Sequence, residues 1–189
     1  MSKYAYAVLA VMLAVYTYGT THAMEMGGAE ERAMSMTMDD WTRDDDATFL
    51  FGMIEHHKGA LRMSEAALDS RDPQVAAWAR SIIADQRREI DLMQSLVDRL
   101  ALTDRHKAAD MMRGEMEQMM SHPHSQDGDT NFVAMMIPHH AGAIEMSVPA
   151  LVLSENGEIR DLARKIILSQ TEEIGEFQQW LETQTALVK

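Results

Sequence analysis

Two stretches of the chain carry apolar residues at the three-and-four spacing of a helix face. One holds Val75, Trp78, Ile82, Ile83, Ile90, Met93, Leu96, Val97 and Leu100; the other holds Ile159, Leu162, Ile166, Ile167, Ile174, Phe177 and Leu181. They predict helices from Pro73 to near Leu102 and from Glu158 to near the C-terminus. Asp72-Pro73 supplies an N-cap and a proline at the first helical position. Upstream, Asp44-Asp45-Asp46 puts negative charge where the helix dipole favours it and predicts a helix over about Ala47–Ala67. Residues 106–120 read as a Met-rich helix, broken by the polar run Ser121 to Gly128. Another helix is expected from about Asp129 to Val148, kinked at Pro138, with Pro149 and Asn156-Gly157 marking the next turn. Met24 to Arg43 is polar and without periodicity, and is expected to be a flexible arm.

The pattern repeats. Phe49 to Ser64 aligns with Phe132 to Ser147 at an offset of 83. After one inserted residue, Ala79, Ile82, Ile83, Gln86, Glu89 and Ile90 align with Ala163, Ile166, Ile167, Gln170, Glu173 and Ile174. Each repeat is a helical hairpin (44–102 and 129–189), and 103–128 connects them. One hairpin cannot bury its apolar faces alone, so the two are expected to pack as an all-α four-helix bundle.

The repeat carries the chemistry. Both copies hold M-x-x-H-H-x-G-A-x-x-M, as Met53, His56, His57 and Met63, and as Met136 (beside Met135), His139, His140 and Met146. Spacings of three, four and seven put Met and His on one helix face, while adjacent histidines point about 100° apart. One histidine of each pair is therefore expected inside and the other at the rim with the methionines. Ordinary core packing explains one such copy; two copies with one spacing favour metal ligation. Gln86 and Gln170 fall within apolar stripes, where each needs a partner. An inward histidine of the paired helix would serve; polar packing without a metal is the alternative. In the connector, Met112, Met116, Met119 and Met120 share a face, with Met111, His122 and His124 adjoining. The arm adds Met34, Met36 and Met38 to Met24 and Met26, in a segment with no core to fill.

Composition sharpens this picture. The chain has 18 methionines and no cysteine among 189 residues, so a soft-metal site must use thioethers and imidazoles, the donors that suit copper. Cu(I) should prefer the Met-rich clusters and Cu(II) the imidazoles. Residues 1–23 resemble a signal peptide: Lys3, an apolar run from Ala5 to Tyr18, and a small residue at Ala23. The run is shorter than the ~20 residues of a membrane span, so a periplasmic or secreted protein without a membrane anchor is expected. Loss of Lys3 would move the formal charge from −13 to −14, which disfavours nucleic acid and anionic membranes as partners and suits cations. Gly-rich phosphate loops, G-x-S-x-G, H-E-x-x-H and E-x-x-H pairs are absent, so an enzyme is not expected.

The strings G-M-I-E-H-H-K-G-A-L-R-M-S and A-M-M-I-P-H-H-A-G-A-I-E-M-S, each followed by I-I-x-x-Q-x-x-E-I, resemble the domain-of-unknown-function 305 family over about residues 47–183. The resemblance is to two-repeat, exported members, which include periplasmic copper-binding proteins. It implies a ferritin-like four-helix bundle and copper binding or resistance. The first repeat departs from the family's P-H-H, having Glu55 where the second has Pro138. The reading is copper binding, mainly Cu(I), for buffering, resistance or transfer, with a copper exporter or metallochaperone as the expected protein partner. A ferritin-like metal oxidase and a metal-free helical interaction module are the alternatives.

Overall fold

The computed structural model describes residues 41–122, 125 and 127–187. The expected signal peptide and almost all of the arm, with Met34, Met36 and Met38, lie outside the described residues, as does His124. The described residues form five helices: α1 Arg43–Ala67, α2 Pro73–Arg99, α3 Ala108–Met120, α4 Gly128–Leu153 and α5 Gly157–Leu187. Helix α1 packs on α2, α3 and α4, and α4 packs on α5. The two hairpins, α1–α2 and α4–α5, therefore meet through α1 and α4, and the Met-rich α3 lies on α1.

Local chemistry sets the helix ends. Helix α1 starts earlier than its acidic run alone suggests, because Thr42 and Asp45 form a capping box. Trp41 Nε1 donates to Asp46 Oδ1 at 2.8 Å, and the Arg43 guanidinium donates to the Leu100 carbonyl oxygen. The last three residues assigned to the arm are thus part of the bundle. Asp72 caps α2, accepting from Gln74 N at 2.8 Å. Helix α2 stops at Arg99, before Leu102, where Ala101 turns to φ 48° and Leu102 N donates to Val97 O. This is a Schellman end with alanine in the left-handed position that usually holds glycine.

Helix α4 does not end at Pro149. It continues to Leu153 through both Pro138 and Pro149. A proline inside a helix costs ~3 kcal/mol. Stopping at Val148 would expose Ala150 and Leu153, both buried, and Leu151, which packs on the core. Their burial offsets the proline, and the chain turns only at Ser154, before Asn156 caps α5 by accepting from Glu158 N at 2.9 Å.

The core is in two parts. One apolar cluster joins Phe49, Leu50 and Met53 of α1 to Met93 and Leu96 of α2, Ala143 and Ala150 of α4, and Ile159 and Leu162 of α5. The other joins Ala60 and Met63 to Val75, Trp78 and Ile82, Phe132 and Met136, and Phe177. The order along the helices makes α1 and α4 antiparallel. Between the clusters, every helix of the two hairpins contributes a buried polar residue: His56 and His57, Gln86, His139 and His140, and Gln170. An aromatic seam ties α2 to α5. Trp78 meets Phe177 edge-on at 5.0 Å and donates to Glu176 Oε2 at 2.7 Å, while Trp180 Nε1 donates to Asp72 Oδ2 at 3.0 Å.

Candidate metal centre

Both histidines of each pair are interior. His56, His57, His139 and His140 are 2%, 0%, 1% and 0% exposed, so the expectation of one ring at the rim is overturned. The 100° between neighbouring side chains still holds, but α1 is covered on more than one side. His57 points to its hairpin partner and His56 to the other repeat. His57 Nε2 lies 2.8 Å from Glu89 Oε2 on α2, and His140 Nε2 lies 2.6 Å from Glu173 Oε2 on α5. His56 and His139 meet across α1 and α4 with ring centroids 3.8 Å apart, and His139 Nε2 lies 3.1 Å from the His56 carbonyl oxygen.

The glutamines do not hold the rings. The glutamates one turn further on, about one-fifth exposed, do so instead. Gln86 Oε1 and both polar atoms of the Gln170 side chain have no hydrogen-bond partner among the described residues. The alignment of Glu89 with Glu173 was visible in the repeat, but not the reach of a glutamate from the stripe's edge to a buried imidazole.

The Nδ1 atoms of all four histidines are buried and also lack a hydrogen-bond partner among the described residues. A carboxylate can only accept, so Nε2 carries the proton toward Glu89 and Glu173, and in a neutral ring Nδ1 keeps its lone pair. Carboxylate–histidine pairs of this kind orient an imidazole for a metal on its other nitrogen. Burial, then the neighbouring His57 and His140, pushes the His56 pKa down to about 3. Burial lowers His139 likewise, followed by His56 and His140. These two rings are neutral donors at physiological pH.

The methionines flank this layer. Because the repeats run antiparallel, each side draws on both copies. Met53 and Met146 lie in or against one cluster; Met63, Met135 and Met136 lie in the other, with Met119 and Met120 against it. Met116 of α3 is buried at the centre. The point a Gly59 Cβ would occupy lies 2.9 Å from Met116 Sδ and 3.4 Å from His139 Nε2, so a thioether and an imidazole both close on α1 at Gly59. Met112, Met119 and Met120 are half-buried on the same face, as their spacing predicts, while Met111 is 63% exposed. His122 is exposed at the end of α3, with Nδ1 3.0 Å from the Gln118 carbonyl oxygen. Among the described residues, no group of three or more His, Asp or Glu side chains is arranged to hold a metal, a donor set that leaves thioethers out.

Glu55 explains the departure of the first repeat from the second. It is buried and accepts from Lys58 Nζ at 2.6 Å and from Arg113 Nε at 3.1 Å, clamping α3 onto α1. Burial raises the Glu55 pKa, but the hydrogen bonds from Lys58 and Arg113 outweigh it and the net shift is downward. Proline at this position could make no such clamp.

The family model of the domain of unknown function DUF305 matches residues 12–97, 46–128 and 129–187. The chain belongs to the DUF305 family. The fold is shared with CopM in its Cu(I)-bound form, at 29% identity over 76% of this chain and 97% of CopM, with a TM-score of 0.60. CopM has also been solved with Cu(II) and with silver bound. A DUF305 fragment from Deinococcus radiodurans is 27% identical over 74% of this chain and 96% of its own length, with a TM-score of 0.59. Uncharacterized protein L153 of Acanthamoeba polyphaga mimivirus is 37% identical over 62 residues, 32% of this chain and 41% of that protein. The match thus spans less than half the length of that relative.

Proposed function

We propose that this DUF305 protein is an exported copper-binding protein. It holds copper, mainly as Cu(I), through its Met and His clusters, and buffers it, confers resistance or passes it on. The observation that carries the reading is the buried layer of four imidazoles with unpartnered Nδ1 atoms, flanked by thioethers from both repeats and from α3. Imidazole suits copper in either state and thioether selects Cu(I). CopM, solved with Cu(I), Cu(II) and silver, supports it by sharing the fold. The protein binds rather than turns over its metal. Export rests on the signal-like residues 1–23; among the described residues, no helix is long and apolar enough to cross a membrane.

The test is anaerobic Cu(I) titration against a competing chelator, for the parent and for a variant with Met111, Met112, Met116, Met119 and Met120 replaced by leucine. Leucine keeps volume and apolarity and removes sulfur. The variant is expected to fold and to bind at least one equivalent less Cu(I), with Cu(II) binding changed less. Equal Cu(I) uptake by the two makes the connector packing alone, and no uptake by the parent overturns the reading.

A further inference from the structure

Away from the histidine layer, where α3 starts, a cleft of about 250 Å³ is lined by Thr48, Gly52, His106, Ala108, Met111, Met112, Glu115 and Met146. Its donors come from three parts of the chain: His106 from the turn before α3, Met111 and Met112 from α3, and Met146 from α4. We propose that His106, Met112 and Met146, with Met111 at the mouth, form a separate binding site for one soft monovalent cation, Cu(I) or Ag(I). The proposal rests on the copper reading above and adds a site to it.

Four observations converge on this cleft. His106 is exposed and makes no hydrogen bond or ion pair among the described residues, so its imidazole is available. The turn that carries it is fixed. Asp104 accepts from Ala108 N at 2.7 Å and Ala109 N at 3.0 Å, and Lys107 is held at φ 54°, a costly conformation for a residue with a Cβ. Met111 lines the cleft and is 63% exposed, so its side chain is open to an ion entering from solvent. Finally, space is made for Met146. A Cβ on Gly52 would stand 3.3 Å from Met146 Cε and 3.9 Å from the Ala108 Cβ. In the repeat alignment Gly52 corresponds to Met135, which is buried, so the second repeat carries a side chain where the first leaves room.

The chemistry is that of a soft site. Thioethers and one imidazole, with no cysteine, discriminate against hard divalent ions, and flexible methionine side chains can close on an ion that enters from solvent. Glu115 adds negative charge at the lining, which draws cations.

The purified protein with 13C-labelled methionine methyl groups is titrated with Ag(I), a diamagnetic probe, and with Cu(I) against a chelator. The comparison is with His106→Gln, a change at an exposed residue without a partner. The methyl resonances of Met112 and Met146 are expected to shift in the parent. In His106→Gln those shifts vanish, and Cu(I) uptake falls by one equivalent or that equivalent weakens at least tenfold. Either methyl unmoved at saturating Ag(I), or His106→Gln binding as much Cu(I) as the parent, overturns the site while leaving the copper reading standing. A parent that takes up neither ion overturns both.

Discussion

Replacing Gly59 with alanine tests how tightly α3 is seated over the histidine pair. The new Cβ would stand 2.9 Å from Met116 Sδ, 3.1 Å from Met116 Cγ and 3.4 Å from His139 Nε2. Favourable carbon contacts sit near 3.5–4.0 Å, so Met116 must retreat by at least half an ångström, and it is itself only 6% exposed. Overpacking of this kind costs about 1–3 kcal/mol, and alanine regains about 1 kcal/mol of helix propensity. The net expectation is a loss of up to about 2 kcal/mol. Gly114 on α3 is the control: a Cβ there meets nothing within 4 Å, so Gly114→Ala should gain up to about 1 kcal/mol. Urea unfolding of the metal-free proteins reads both, provided the m-value is unchanged. In the Gly59→Ala background, Met116→Ala should cost less than it does in the parent, because the two side chains compete for one space. If Gly59→Ala stabilises as much as Gly114→Ala, Met116 does not pack against Gly59 as described.

Acid should destabilise the metal-free protein in two steps. His56 is held neutral down to about pH 3, whereas an unfolded histidine protonates near 6.5, so the unfolded state gains protons first and stability falls as pH drops from 6.5. At ~1.4 kcal/mol per pH unit, the loss approaches about 5 kcal/mol at pH 3; His139 acts in the same direction. Glu55, with its pKa depressed, adds stability above its unfolded value of 4.5 that disappears as pH falls through the folded value. A urea midpoint that stays flat between pH 7 and 5 contradicts the buried neutral histidines. Asp72→Ala removes both the α2 cap and the acceptor of Trp180 Nε1. It should cost about 1–3 kcal/mol in thermal or urea melts; a loss below about 0.5 kcal/mol would mean that the seam between the hairpins does not depend on it.

Much of this arrangement could be read in the chain itself. The 83-residue offset, the Asp72-Pro73 start and the apolar stripes define two hairpins, because caps and periodicity act locally. The methionine face of α3 followed from helical spacing, and Met116, Met119 and Met120 lie on it. What escaped the sequence depends on neighbours. Both histidines of a pair can be buried because α1 packs on three helices and α4 on two. Glu89 and Glu173 take the rings in place of the glutamines because they reach in from the edge of the stripe. Pro149 stays helical because Ala150 and Leu153 have a core to enter. His106 carries no periodicity, and only the fold brings it to Met112 and Met146.

In the proposed function thioethers and imidazoles hold copper together. X-ray absorption at the copper edge, on the protein loaded anaerobically with Cu(I), reads that donor set. The expected spectrum is a Cu(I) edge with sulfur and imidazole nitrogen in the same coordination shell. Retained copper with no sulfur scatterer, or no copper retained at all, would contradict it.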